Sequence, residues 1–155
     1  MTDAQPQQRT AVRVLPVDRQ DRLLLLHGFD PAEPDRPYWF TVGGGLEPDE
    51  SPESAAVREL AEEVGLIVEP SALVGPLGEA TIEFGFDSVR YRQRQTYYAV
   101  RVGDAPITFA GQDAIEHASI DTHAWWTLAD LHRTTEQVYP EDLADLLTRA
   151  LPALT

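Results

Sequence analysis

Glu59, Glu62 and Glu63 stand at i, i+3 and i+4, a spacing that on a helix sets three carboxylates side by side. At 100° per residue, Val57, Leu60, Ala61 and Val64 fall within roughly 100° of arc, and the glutamates fill a similar arc centred about 160° away. The spacing therefore predicts a core face and a nearly opposite, solvent-facing carboxylate face. Hard divalent cations seek such oxygen clusters, and Mg²⁺ binds few carboxylates while keeping waters that substrate can replace. Taken alone, the three glutamates describe a solvated helix face better than a metal site, because glutamate is a good helix former. Their surroundings reverse that reading. Gly43, Gly44 and Gly45 lie just upstream, where a chain can turn sharply and offer backbone groups to ions and phosphates. Glu50 and Arg58 can pair and hold this loop against the helix, although an exposed pair is worth only about 0–1 kcal/mol. Glycine loop, buttressing pair and carboxylate face together describe a diphosphate–metal site.

Several elements must position these residues. Residues 51–64 read as the clearest helix: Ser51 suits the N-cap, Pro52 the first helical position, Glu53 the dipole and Gly65 the C-terminal glycine. Before it, residues 9–17 and 22–27 read as two strands joined by a polar turn at 18–21. Residues 28–37 are a proline-rich loop, and 38–42 a short strand running into the glycines. After it, 67–74, 77–86 and 91–102 read as strands, 103–122 as an irregular acidic stretch and 124–126 as strand. Thr127 caps a short helical turn, and 139–151 reads as an amphipathic helix. Strands on both sides of one strong helix give an α/β or α+β fold.

The 155 residues suit one domain, expected over 9–155 after a disordered leader at 1–8. That leader is polar and lacks the apolar centre of a signal peptide, and no apolar run is long enough to span a membrane. Absence of cysteine excludes disulfides, thiolate metal sites and cysteine nucleophiles, and is compatible with the cytoplasm, the expected location. Twelve basic against 26 acidic residues give a net charge of -14, which repels a nucleic-acid polymer. It also repels a phosphorylated substrate unless cations intervene.

The pattern Gly44-x5-Glu50-x7-Arg58-Glu59-Leu60-x-Glu62-Glu63-x-Gly65-Leu66 resembles the Nudix box at every specified position. Accidental agreement is below about one in 10⁸ per starting position. The box covers residues 44–66, and a looser resemblance extends over most of the chain. It implies a mixed sheet sandwiched between helices, and metal-dependent attack of water on a phosphorus of a nucleoside diphosphate linked to another group. The metal is expected to be Mg²⁺ or Mn²⁺. By position, Glu59 and Glu63 are the implied principal ligands, and Glu62 a ligand or its neighbour. The carbonyl of Gly43 or Gly44 is a further implied ligand, and Arg58 orients the carboxylates through Glu50. Homodimers are frequent in the family, so the resemblance leaves a homodimer open here.

Outside the box, many Nudix enzymes draw another carboxylate, as ligand or general base, from a distant loop. Glu116 is the first candidate, followed by Glu83 and Asp113. Arg90, Arg92 and Arg94 alternate along one strand, a basic stripe suited to a phosphate, or simply protection of a strand edge. Tyr38, Trp39 and Trp126 can stack on a base, although core positions suit the two tryptophans better. The four histidines lack regular ligand spacing. Several subfamily signatures are absent: Thr81 and Ile82 stand where ADP-ribose hydrolases place a proline, and Val42 precedes the glycines where many members carry proline. What remains is a MutT-like pyrophosphohydrolase acting on a nucleoside triphosphate or nucleotide sugar. The alternatives are a hydrolase of a non-nucleotide diphosphate, such as an isoprenoid or inositol compound, and a noncatalytic nucleotide-binding module.

Overall fold

Apolar residues on the central strands alternate between two faces that are both covered. In the first strand, β1 (Gln7–Val17), Val12 and Val14 face one side while Leu15 and Val17 face the other. In β2 (Leu23–Gly28), Leu24 and Leu26 oppose Leu23 and Leu25 in the same way. Burial on both faces is why these strands read as nearly continuous apolar runs. A computed structural model describes residues 5–154. It continues with β3 (Tyr38–Phe40), β4 (Val42–Gly45), α1 (Pro52–Val64), β5 (Val74–Phe86) and β6 (Val89–Arg101). Then come α2 (Ala114–Ser119), β7 (Ile120–Trp126), α3 (Leu128–Arg133), β8 (Val138–Tyr139) and α4 (Leu143–Ala150).

The strands make one mixed, curled sheet around β1. Along one edge β1 runs parallel to β6, from Gln7 opposite Tyr91 to Val17 opposite Arg101. Its other edge is divided: Ala11 to Val14 pair antiparallel with β4, and Val17 pairs with Leu23 of β2. On one face α1 contributes Ala55, Ala56, Leu60 and Val64 to the core, and on the other α4 contributes Leu143, Leu146, Leu147 and Ala150. The result is the helix–sheet–helix sandwich expected. Trp39 and Trp126 meet edge to face at 5.1 Å in the α4-side core. No helix among the described residues is long and apolar enough to cross a membrane.

Helix α1 is bounded as its sequence dictates. Ser51 Oγ accepts the Ser54 N–H at 3.1 Å, and Gly65 takes φ 73° while its N–H reaches the Ala61 carbonyl. Elsewhere the structure differs from the sequence reading. β1 begins at Gln7 rather than Arg9, because Gln7 and Gln8 pair with Tyr91 and Arg92; of the expected leader, residues 1–4 lie outside the described residues. The strand expected over 38–42 is two strands with different partners: β3 pairs with β2, and β4 pairs with β1. Residues 67–73 form no strand; they have no ladder partner, Ile67 is 82% exposed, and Pro70 opens a 3-10 turn. The irregular stretch 103–122 contains α2 and the start of β7. The last helix begins at Leu143, not Tyr139, because a residue before proline disfavours helix and Tyr139 instead joins β8.

Leu60, fully buried on the core face of α1, reports the cohesion of this layer. Leu60→Ala is expected to lose about 2–5 kcal/mol in urea denaturation; a loss below about 1 kcal/mol would mean that α1 is not packed on the sheet.

Candidate functional site

β4 is a strand almost without side chains, and both sheet faces exploit that. On the α1 face, a Cβ on Gly44 would lie 2.6 Å from the Glu59 carboxylate, so only glycine admits that carboxylate to the backbone. Gly43 adopts φ 150° and donates its N–H to Glu63 Oε1 at 2.8 Å. The glycines are therefore strand residues in register with Ala11, Val12 and Arg13, not the free loop expected. They still present backbone to the carboxylates, but from a rigid ladder.

Glu63 is 2% exposed and Glu59 7%. This corrects the expectation that the glutamate face looks into solvent: α1 turns that face toward β4, and the segment before α2 closes over its last turn. Burial pushes the carboxyl of Glu63 well above the usual glutamate range, and the charge of Glu59 adds to the shift. Burial also raises Glu59, partly offset by Arg58. Glu116 on α2 completes the group: Glu59, Glu63 and Glu116 each bring a carboxylate oxygen within 4.8 Å of the others. Three carboxylates this close would hold a divalent cation once their side chains drew in around it. Hard oxygen donors, partly desolvated and mutually repelling, fit a divalent cation.

Glu62 stands apart from that group. It is half-exposed and pairs with Arg58 Nη1 at 3.1 Å. Arg58 is the hub of the outer layer. Its Nε and Nη2 form a two-point contact with Glu50, each at 2.8 Å, its Nη1 donates to Glu59 at 3.0 Å, and its Nη2 donates to the Gly45 carbonyl at 3.1 Å. The forked guanidinium thus ties the loop before the helix, the glycine strand and one carboxylate of the cluster together. Glu50 also accepts the Glu47 N–H. Its carboxyl is held down to about 2, chiefly by the Arg58 hydrogen bonds.

The other sequence candidates fall elsewhere. Glu83 pairs with Arg92 at 3.6 Å and Arg94 with Glu79 at 2.7 Å, so two arginines of the supposed phosphate stripe are engaged by carboxylates of β5. β6, which carries them, is an internal strand, so edge protection does not explain them either. Arg90 is exposed at the hairpin end. Asp113 caps α2, accepting the Glu116 N–H at 2.8 Å, while Glu116 accepts the Asp113 N–H at 3.0 Å.

Two arginines escaped the sequence reading. Arg9 and Arg13 lie four residues apart on β1; Arg13 stands opposite Gly43, the Arg9 side chain reaches Gly45, and neither has a carboxylate partner among the described residues. The Arg9 side chain occupies the space beside Gly45, and its charge is disfavoured by burial and by Arg13. Arg13 donates to the Thr41 carbonyl at 3.2 Å. The signal for them was present: two cations at i and i+4 on one face of a strand whose later half is apolar.

A family model described as a NUDIX domain matches residues 7–147. The chain belongs to the Nudix family. Mouse diphosphoinositol polyphosphate phosphohydrolase 3-alpha is 36% identical over 83 residues, which is 54% of this chain and 43% of the mouse protein. The matched stretch thus spans less than half of that relative's length. A MutT protein from Methanosarcina mazei Go1 superposes with a TM-score of 0.71 at 17% identity, covering 97% of this chain and 98% of that one. A Nudix-family hydrolase from Clostridium perfringens gives 0.68 at 20% identity, covering 94% and 97%. At such identities the likeness speaks for the Nudix fold alone.

The Arg58–Glu50 contact also carries a pH signature. Because Glu50 titrates near 2 when folded and near 4.5 ordinarily, its contribution is complete above about pH 4.5 and is lost as pH falls toward 2. Denaturation of wild type and Glu50→Gln should therefore differ most near pH 6–7 and converge between pH 4.5 and 2. A gap independent of pH would show that the carboxylate is not held by Arg58.

Proposed function

We infer that this Nudix protein is a metal-dependent hydrolase of a diphosphate linkage in a small molecule. The observation that carries the reading is the convergence of Glu59, Glu63 and Glu116 beside a bare glycine strand. In this reading Glu59 and Glu63 hold Mg²⁺ or Mn²⁺, and the backbone of Gly44, in touch with Glu59, adds a ligand. A divalent cation bound there supplies the positive charge that neutralises diphosphate oxygens and acidifies an attacking water. Glu116 approaches from another element and serves as a further ligand or as the acceptor of the water's proton. Glu62 stays in the outer layer with Arg58. Arg58 and Glu50 position Glu59, and the Gly43 N–H fixes the orientation of Glu63.

The substrate proposed first is a nucleoside triphosphate or nucleotide sugar. A second reading, a multiply phosphorylated non-nucleotide diphosphate, is favoured by Arg9 and Arg13. These two cations without carboxylate partners border the same glycines and can engage phosphate groups by forked hydrogen bonds. The name of the mouse relative points the same way. In both readings the chain acts on small molecules in the cytoplasm and leaves nucleic-acid polymers alone, consistent with its net charge of -14. A homodimer belongs to the same proposal.

Product analysis on nucleoside triphosphates, nucleotide sugars and inositol or isoprenoid diphosphates, with Mg²⁺ or Mn²⁺, tests the function and separates the substrates. Glu63→Gln should fold, since its amide oxygen still accepts from Gly43, yet lose roughly 10²–10⁴ in kcat. Wild-type turnover in that variant, or turnover undiminished by EDTA, would sink the metal-dependent reading. Arg13→Ala should raise KM by about tenfold for a polyphosphorylated substrate, at about 1.4 kcal/mol per tenfold. An unchanged KM would remove Arg13 from substrate recognition.

A further inference from the structure

Helix α2, which carries Glu116, is short and exposed over most of its length. Its attachment to α1 runs through the segment just before it. The last carbonyls of a helix lack partners within the helix, and here this segment supplies partners for two of them. Thr108 N–H donates to the Val64 carbonyl at 3.0 Å, and Gln112 Nε2 donates to the Glu63 carbonyl at 3.1 Å. Gly111 lies flat against the backbone of Glu62; a Cβ there would come within 2.7 Å of its carbonyl oxygen. Gln112 is 7% exposed, and its Oε1 is buried with no hydrogen-bond partner. A buried acceptor without a donor is costly, so the amide is held there by what its N–H group does.

Glu63 carries a cluster carboxylate on its side chain and, on its main chain, the carbonyl that Gln112 grips. Asp113, the next residue, caps α2 and is locked reciprocally to Glu116. One amide thereby relays the position of Glu63 to Glu116 through two short steps. We propose that Gln112 is a positioning residue that sets the third carboxylate against Glu59 and Glu63, so that its contribution to cation binding acts through Glu116. The proposal rests on the metal-site reading above.

Mn²⁺ titration of the full chain without substrate tests it, using wild type, Gln112→Met, Glu116→Gln and the double variant, with thermal melting as the folding control. Loss of an outer partner of a metal ligand weakens binding by roughly 10–100-fold. Gln112→Met and Glu116→Gln should each weaken Mn²⁺ by about tenfold, and the double variant should bind as Glu116→Gln does within about twofold, since coupled residues are not additive. Gln112→Leu, also lacking the donor, repeats the test should the methionine variant unfold. Wild-type Mn²⁺ affinity in a folded Gln112 variant, or multiplication of the two losses in the double variant, would overturn the positioning role. Wild-type affinity in Glu116→Gln would overturn it together with the role of Glu116. Absence of Mn²⁺ binding by the wild type would instead overturn the underlying metal-site reading.

Discussion

Two carboxylates held out of water against bare backbone set the terms for the rest of this structure. Glu59 and Glu63 lie at 7% and 2% exposure, and burying a charge without compensation is expensive. The fold brings several partial compensations to them. Arg58 donates to Glu59, the Gly43 N–H donates to Glu63, and Arg13 acts on Glu63 electrostatically. Yet Glu116 adds a third carboxylate to the same place. Burial and mutual repulsion still raise Glu59 and Glu63, so the cluster is poised for a cation.

That constraint explains features that otherwise look unrelated. Any side chain at Gly44 would displace Glu59 from β4. β4 must pair with β1, because a ladder rather than a free loop keeps the Gly43 N–H aimed at Glu63. Arg58 must reach four groups at once, which a guanidinium fork can do and an ammonium cannot do as well. The capped segment before α2 must lie on the last turn of α1, because only there does Glu116 face the other two.

Much of this was legible in the chain. The cap, proline and terminal glycine of α1 act locally, so they read correctly from neighbouring residues. The paired strands around Val14 and Leu24 were legible because both of their faces are buried. The Arg58–Glu50 pairing was legible from the residues themselves, and the family resemblance added the expected metal roles of the glutamates. What escaped was decided by partners distant in sequence. The helical arc separated Glu63 from the apolar stripe correctly, but could not show that β4 would cover the glutamate side. The glycines looked like a loop because their strand character comes from pairing with residues 11–13. Arg92 and Arg94 looked available for phosphate until the hairpin register brought Glu83 and Glu79 to them. Arg9 and Arg13 gained meaning only once the fold set their side chains beside Gly45 and Gly43.

The most direct measurement is anomalous diffraction from Mn²⁺-soaked crystals of the wild-type protein. A manganese peak is expected within about 2.2 Å of carboxylate oxygens from Glu59 and Glu63, with Glu116 drawn toward it. Ordered carboxylates with no peak between them, or a peak held only by exposed acids elsewhere, would contradict the metal-site reading.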